Sequence, residues 1–348
     1  MKEIVLKNRK IGGDNPCYII AEMSANHGGD YDRAIEIIHK AKEAGADCIK
    51  LQTYTADTIT LNSKKDYFKL NGGLWDGKYL YELYDSAFTP WEWHEGLKIE
   101  AEKLGLDFLS TPFDPTAVDF LDELGVEFYK IASFECVDIP LIKKIASKNK
   151  PIIMSTGLAS LGEIEEAVEA IRNEGNNQLV VLKCSSAYPA IPDDMNIKTM
   201  CAIKDTFNVI PGLSDHTMGS ISCIAAVALG AKVLEKHICL DRSIETADSV
   251  FSMEPDEFKK LVDDVRACER ALGKVSFERS EKEKLSLSSR KSIFISKDIR
   301  KGEVFTEENI RCVRPGTGLS TRHYYDVLGK KATTNIEFGE PLKWNMIE

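Results

Sequence analysis

Two lysines stand where a lysine is costly. Lys50 lies within Cys48-Ile-Lys-Leu-Gln52 and Lys130 within Tyr129-Lys-Ile131, both short apolar runs, and an ammonium in such a place must reach solvent or meet a partner. With hydroxyls from Thr111, Ser133, Ser155 and Ser214 they form a set suited to gripping a phosphate and a carboxylate together. The competing reading pairs these lysines with the chain's own Glu22, Glu135 or Glu235. Two histidines, His216 and His237, end apolar runs of their own. If those runs are neighbouring parallel strands, about 4.8 Å apart, the imidazoles can share a divalent metal and leave positions open for water and substrate oxygens. Two protein ligands make a weak site, so Mg2+, Mn2+ or Co2+ is expected before a tightly held zinc.

Such residues need elements that bring them together. Apolar runs rich in Val and Ile recur at 17–22, 47–52, 106–111, 127–132, 151–155, 179–183, 209–214 and 232–238, separated by segments of helical period. The segment from Tyr31 to Gly45 is one of these, with Ala34, Ile37, Ile38 and Ala41 on a single stripe. Eight strands alternating with helices predict a (β/α)8 barrel rather than a doubly wound open sheet. No Gly-x-Gly-x-x-Gly or P-loop pattern follows any run. The run ends carry Glu22, Lys50, Gln52, Ser110, Thr111, Lys130, Ser133, Ser155, Lys183, Ser214, Asp215, His216 and His237. Barrel enzymes place their sites at strand C-termini, so these polar residues are expected to converge on one mouth. An insertion from Thr53 to about Phe88, holding Asn71-Gly-Gly-Leu-Trp-Asp-Gly77, falls on that face and is expected to shape a pocket. The domain boundaries read as a barrel over 1–275, a polar linker over 276–289 and a small β-rich module over 290–348.

Composition narrows the partners. The 348 residues hold 45 Lys+Arg against 55 Asp+Glu, a net charge of -10, which argues against a nucleic-acid or anionic-membrane surface. The start has no signal-peptide core, and no apolar run is long enough to span a membrane, so a cytoplasmic protein is expected. Nine scattered cysteines, none in a Cys-x-x-Cys pair, read as buried reduced thiols and not as a zinc site.

Taken in order, Ala21-Glu-Met-Ser-Ala-Asn-His-Gly-Gly29, Ile49-Lys-Leu-Gln52, Ser110-Thr-Pro-Phe-Asp114, Tyr129-Lys-Ile-Ala-Ser133, Met154-Ser-Thr-Gly157, Gly212-Leu-Ser-Asp-His-Thr217, Glu235-Lys-His237 and Arg314-Pro-Gly-Thr-Gly318 resemble the sialic acid synthase family, which condenses phosphoenolpyruvate with an amino-sugar aldehyde. The likeness runs over almost the whole chain and implies that the C-terminal module is an antifreeze-like (SAF) domain. The first motif departs from the neuraminate-type Gly-x-Asn-His-Asn-Gly. That departure, the Gly-Gly-Leu-Trp-Asp-Gly insertion and Thr89-Pro-Trp-Glu-Trp93 resemble the pseudaminate-forming branch, whose sugar is 2,4-diacetamido-2,4,6-trideoxy-L-altrose.

The resemblance also implies roles. Lys50, Gln52, Thr111, Lys130, Ser133, Ser155, Ser186 and Ser214 would bind phosphoenolpyruvate; Tyr188, Asp248 and Arg314 would bind the sugar; Glu22 or Glu135 would activate water; His216 and His237 would hold the metal. It further implies a homodimer in which one chain's C-terminal module covers the other's barrel. Two alternatives stay open: a neuraminate or legionaminate synthase with the same chemistry, and a metal-dependent pyruvate aldolase.

Overall fold

In the computed structural model, which describes residues 2–7 and 9–348, the eight apolar runs become eight parallel strands. After a short antiparallel hairpin, β1 (Glu3–Val5) with β2 (Lys10–Gly12), come β3 (Tyr18–Glu22), β4 (Cys48–Thr53), β5 (Asp107–Pro112), β6 (Tyr129–Ile131), β7 (Ile152–Ser155), β8 (Leu179–Cys184), β9 (Ile210–Asp215) and β10 (Val233–His237). The ladder order is β5-β4-β3-β10-β9-β8-β7-β6. The last strand therefore pairs with the first, β10 with β3, and β5 and β6 pack side by side to complete the ring. This is the (β/α)8 barrel expected from the alternation of runs.

Helices start where the sequence supplies caps. Asp30, Asp114 and Asp138 each accept a backbone N–H at the head of a helix, and Ser160 with Glu163 forms a capping box. The predicted stripe on the helix Tyr31–Glu43 is buried at Ala34, Ile37, Ile38 and Ala41.

Strand side chains alternate between two cores. One parity, with Ile19, Ile49, Phe108, Ile131, Met154, Val181, Leu213 and Leu234, packs outward with the helices. The other, with Tyr18, Ile20, Cys48, Leu109, Phe128, Ile153, Val180, Leu182, Ile210 and Val233, forms a separate cluster that Ile4, Leu6 and Ile11 of the N-terminal hairpin join. That cluster fills the lower barrel. The same inward parity, continued toward the strand C-termini, gives Glu22, Lys50, Gln52, Thr111, Lys130, Ser155, Cys184, Ser214, His216, Glu235 and His237.

The expected convergence therefore holds with exceptions. Ser110, Lys183 and Asp215 carry the outward parity: Ser110 Oγ bonds Thr53 Oγ1 at 2.6 Å, Lys183 Nζ donates to the Cys184 carbonyl at 2.5 Å, and Asp215 pairs with Lys236 at 2.7 Å. A period of two decides the face, and all three residues sit one step off it.

The chain divides into two compact units, Met1–Gly273 and Lys274–Glu348. The second unit has its own core of Ile293, Ile295, Ile299, Phe305, Ile310, Val327, Ala332, Ile336 and Leu342, around the antiparallel pair β11 (Ser292–Ile295) and β12 (Ile310–Val313). The segment 276–289 includes a short helix, Glu281–Leu285, capped by Ser280. Among the described residues no helix is long and apolar enough to cross a membrane.

Gly212 shows how tightly the barrel interior closes. A Cβ there would meet Leu182 Cδ2, the Val233 carbonyl oxygen at 2.5 Å and Val233 Cβ at 3.1 Å. Overpacking of this kind costs about 1–3 kcal/mol. Gly212→Ala is expected to lower unfolding stability by that amount in urea titrations, with an unchanged dependence on denaturant; an unaltered midpoint would contradict the close approach.

Candidate active site

At the barrel mouth the inward residues form one charged layer over the apolar plug. Lys50 Nζ lies 3.2 Å from Glu22 Oε2 and 3.1 Å from Glu235 Oε1, with Thr111 Oγ1 at 3.4 Å. Lys130 Nζ donates to Ser155 Oγ at 2.7 Å and stands 3.7 Å from Glu235 Oε1. Ser214 Oγ donates to that same carboxylate oxygen at 3.2 Å. All four charged side chains are about 5% exposed or less. The pairing with Glu22 and Glu235 that the sequence left as an alternative is thus made in the free protein. The hydroxyls of Thr111, Ser155 and Ser214 are assembled around it.

Burial tunes these groups against one another. It drives Glu22 up to about 7, because desolvation outweighs the attraction of Lys50. Desolvation also takes Lys130 down to about 8 despite Glu235 nearby. Glu235 goes the other way: its own burial is overcome by Lys130 and Lys50, which hold it ionised.

Glu135 sits on the turn after β6 and is pushed up to about 7, chiefly by burial. Its Oε2 is buried and has no hydrogen-bond partner among the described residues, and the same is true of Glu235 Oε2, Ser186 Oγ and His237 Nδ1; Glu22 Oε2 also lacks a hydrogen bond but has the ionic contact with Lys50. Unpaired buried polar atoms are costly, and their concentration here marks where a polar ligand belongs. Ser133 and Ser186 flank Gly157: a Cβ at that glycine would collide with Ser186 Oγ and lie 2.8 Å from Ser133 Oγ, while Ser133 Oγ accepts the Gly157 N–H at 3.1 Å.

The two histidines meet as the strand order requires. Their ring centroids are 5.3 Å apart. His216 Nδ1 bonds the Ser185 carbonyl at 2.9 Å, which orients the ring and leaves Nε2 free. Burial, then the neighbouring His216, hold His237 well below its usual value and so neutral. Burial pulls His216 down, but the Cys184 thiol and the Ser185 carbonyl outweigh it and raise it above its usual value. With one ring oriented from behind and the other neutral with an orphaned nitrogen, the pair suits a divalent cation that displaces the His216 proton. Among the described residues no cluster of three or more His, Cys, Asp and Glu side chains could hold a metal, so the pair would rely on water or substrate oxygens for its remaining ligands.

Above the histidines lies an aromatic wall. The Tyr188 ring is 4.6 Å from His216, 5.1 Å from Phe251 and 5.7 Å from Trp75. Trp75 comes from the long insertion and donates to the Ala247 carbonyl at 3.2 Å. The insertion thus reaches the site, as expected. Asp248, raised by burial, accepts from Ser24 Oγ, and Gln52 Nε2 donates to Ser24 Oγ at 2.8 Å and to Glu22 Oε1 at 2.9 Å. Arg314 belongs to the second unit, exposed just after β12.

Glu235 enters the sequence reading only as a competing partner, and Ser24, Cys184, Phe251 and Trp75 are not singled out there as site residues. For Glu235 a signal is present, since it precedes His237 by two and shares its parity. Cys184, whose Sγ is 3.8 Å from His216 Nδ1, shares the parity of Val180 and Leu182. Trp75 lies in the insertion expected to shape the pocket, and nothing local marks Ser24 or Phe251.

A raised carboxyl binds its proton more tightly in the folded than in the unfolded chain, so folding stability falls as pH climbs from about 4.5 to about 7. Glu135→Gln removes that loss. The variant should therefore gain thermal stability over the parent at pH 8 and show a smaller gap at pH 4, by differential scanning calorimetry. A gap independent of pH would contradict a desolvated Glu135.

Comparison with known proteins matches residues 37–277 to the NeuB family and residues 290–348 to the SAF domain. Pseudaminic acid synthase from Campylobacter jejuni strain 81-176 is 48% identical over 95% of this chain and 96% of its own length. Pseudaminic acid synthase from Helicobacter pylori is 45% identical over 96% and 98%. The structure of N-acetylneuraminic acid synthetase from Leptospira borgpetersenii superposes with a TM-score of 0.73 at 34% identity, covering 82% of this chain and 95% of that one.

Proposed function

The chain belongs to the NeuB family, and from that premise we propose that it condenses phosphoenolpyruvate with 2,4-diacetamido-2,4,6-trideoxy-L-altrose and water, giving pseudaminic acid and phosphate. The extensive identity with two pseudaminic acid synthases supports the choice of sugar. The observation that carries the chemistry is the layer of Lys50, Lys130 and hydroxyls beside two carboxylates of raised pKa.

Phosphoenolpyruvate presents a phosphate and a carboxylate. Lys50 and Lys130, with Gln52, Thr111, Ser133, Ser155, Ser186 and Ser214, take both. The desolvation of two ammonium groups is already met in the free protein by Glu22 and Glu235, so the site is preorganised for an anion. The enol carbon C3 bonds to the aldehyde carbon and the aldehyde oxygen takes up a proton. Positive character builds at C2, close to the carboxylate layer. Water adds there, losing its proton to Glu22 or Glu135, each poised near neutral pH for that exchange. The tetrahedral adduct then expels phosphate by C–O cleavage, leaving the keto acid.

The family is metal-dependent in general, and His216 and His237 are the residues that would hold Mn2+, Mg2+ or Co2+. When bound, such an ion supplies a Lewis acid for the aldehyde oxygen. Tyr188 and Asp248 line the sugar's side of the mouth. Arg314 would reach the sugar's acetamido group from the C-terminal module of a second chain, in a domain-swapped homodimer working in the cytoplasm on small molecules, without nucleic acid or membrane. The barrel over 1–275, the linker over 276–289 and the SAF module over 290–348 are the working parts of that arrangement.

Incubation with phosphoenolpyruvate, Mn2+ and each candidate sugar should release phosphate fastest with the altrose derivative. Turnover of N-acetylmannosamine at an equal or higher rate would refute the choice of sugar, and product formation from pyruvate without phosphate release would point to an aldolase. Lys50→Met and Lys130→Met each remove a partner of a buried anion, a loss of about 2–5 kcal/mol. Each should therefore raise the KM for phosphoenolpyruvate by about 30-fold or more.

A further inference from the structure

We infer that a buried ion pair on the outer face of the barrel, Asp215 with Lys236, sets the spacing of His216 and His237. The inference rests on the reading of those histidines as metal ligands and adds positioning residues that never face the site. Each member of the ion pair precedes one histidine in sequence, and the two are register partners across β9 and β10. Strand alternation sends Asp215 and Lys236 outward and the histidines inward, so the same two strand ends carry an ionic clasp behind and an imidazole pair in front.

The clasp is closely made. Lys236 Nζ lies 2.7 Å from Asp215 Oδ2, with the two side chains 1% and 0% exposed. Lys236 also donates to the Thr217 carbonyl, and Asp215 Oδ1 accepts the Thr217 N–H at 2.9 Å. Both backbone polar groups of the residue after His216 are therefore tied to the pair. Cys223 Sγ, from the helix Ile221–Ala228, donates to Asp215 Oδ2 at 3.3 Å.

The surroundings show why stability alone does not explain it. Leu213, Leu234, Cys223 and Ala226 pack in the outer core around this position, where apolar side chains of similar volume would serve as well or better. What an apolar pair lacks is direction. Leucine and methionine could slide past one another by a fraction of an ångström, whereas the ion pair with its two links to Thr217 has one geometry. That fixes the exit of β9 against the end of β10, and with it the 5.3 Å between the imidazoles.

The test replaces the clasp by apolar residues and reads metal binding in the absence of substrate. Asp215→Leu/Lys236→Met should remain folded by circular dichroism, and its dissociation constant for Mn2+, from the electron paramagnetic resonance signal of the free ion, should rise about 10- to 100-fold, as when groups behind a metal ligand are removed. Phosphoenolpyruvate affinity by calorimetry should stay within about twofold of the parent, because none of the anion-gripping residues is altered. Parental Mn2+ affinity in the folded double variant would overturn the inference. If the double variant does not fold, Asp215→Asn, which keeps the shape and the acceptor for Thr217, reads the same quantity, and unchanged Mn2+ affinity there would overturn it too. His216→Ala and His237→Ala separate the two levels: both should abolish Mn2+ binding, and if they bind it normally, the metal reading itself fails.

Discussion

Lys50 is suspended between two carboxylates, Glu22 on one neighbouring strand and Glu235 on the next strand round the ring, and the rest of the mouth is arranged around that suspension. A buried ammonium needs counter-charge, and two carboxylates sharing it cannot be equally ionised. Glu235, reached by Lys130 as well, keeps its charge; Glu22 is left with a proton affinity near neutral. One cluster thus supplies both a cationic seat for an anion and a carboxyl able to exchange a proton. That cluster needs no member from elsewhere, because three adjacent strands already carry the lysine and both carboxylates.

That cluster is possible only because the lower barrel is closed. Beneath it lies the inner apolar layer, sealed by Ile4, Leu6 and Ile11 of the N-terminal hairpin, and water cannot enter from that side. The low dielectric that raises Glu22 and Glu135 and lowers Lys130 follows from this plug. Behind the wall, Asp215 and Lys236 form a second buried pair. The two pairs share a physics but differ in use: the inner one can be opened by an anion, while the outer one has no open side.

Much of this is legible along the chain. The eight runs, their helices and the barrel they imply follow from hydrophobic period, a local property that survives without knowledge of the fold. Lys50, Lys130, His216 and His237 are conspicuous because a polar residue ending an apolar run is expensive unless used. Ser110, Lys183 and Asp215 are misplaced by the same argument, since being near a strand end says nothing of which face is taken until the register is known. Glu235 is visible in the sequence but takes the lesser part there, because its two lysine partners come from 185 and 105 positions away.

The sequence by itself determined the element order, the inventory of ionisable groups and the family pattern, because each is written in residue types and spacings within a few turns or strand steps of one another. Only the tertiary structure decided which carboxylate is ionised, which lysine is depressed and which aromatic residues wall the mouth. Those are properties of distance and burial, and both arise when strands far apart in the chain close into a ring. The negative charge of the chain, -10 overall, gave no hint of the cationic seat inside it. Net charge is a sum over the surface, and the seat depends on two lysines that the surface never shows.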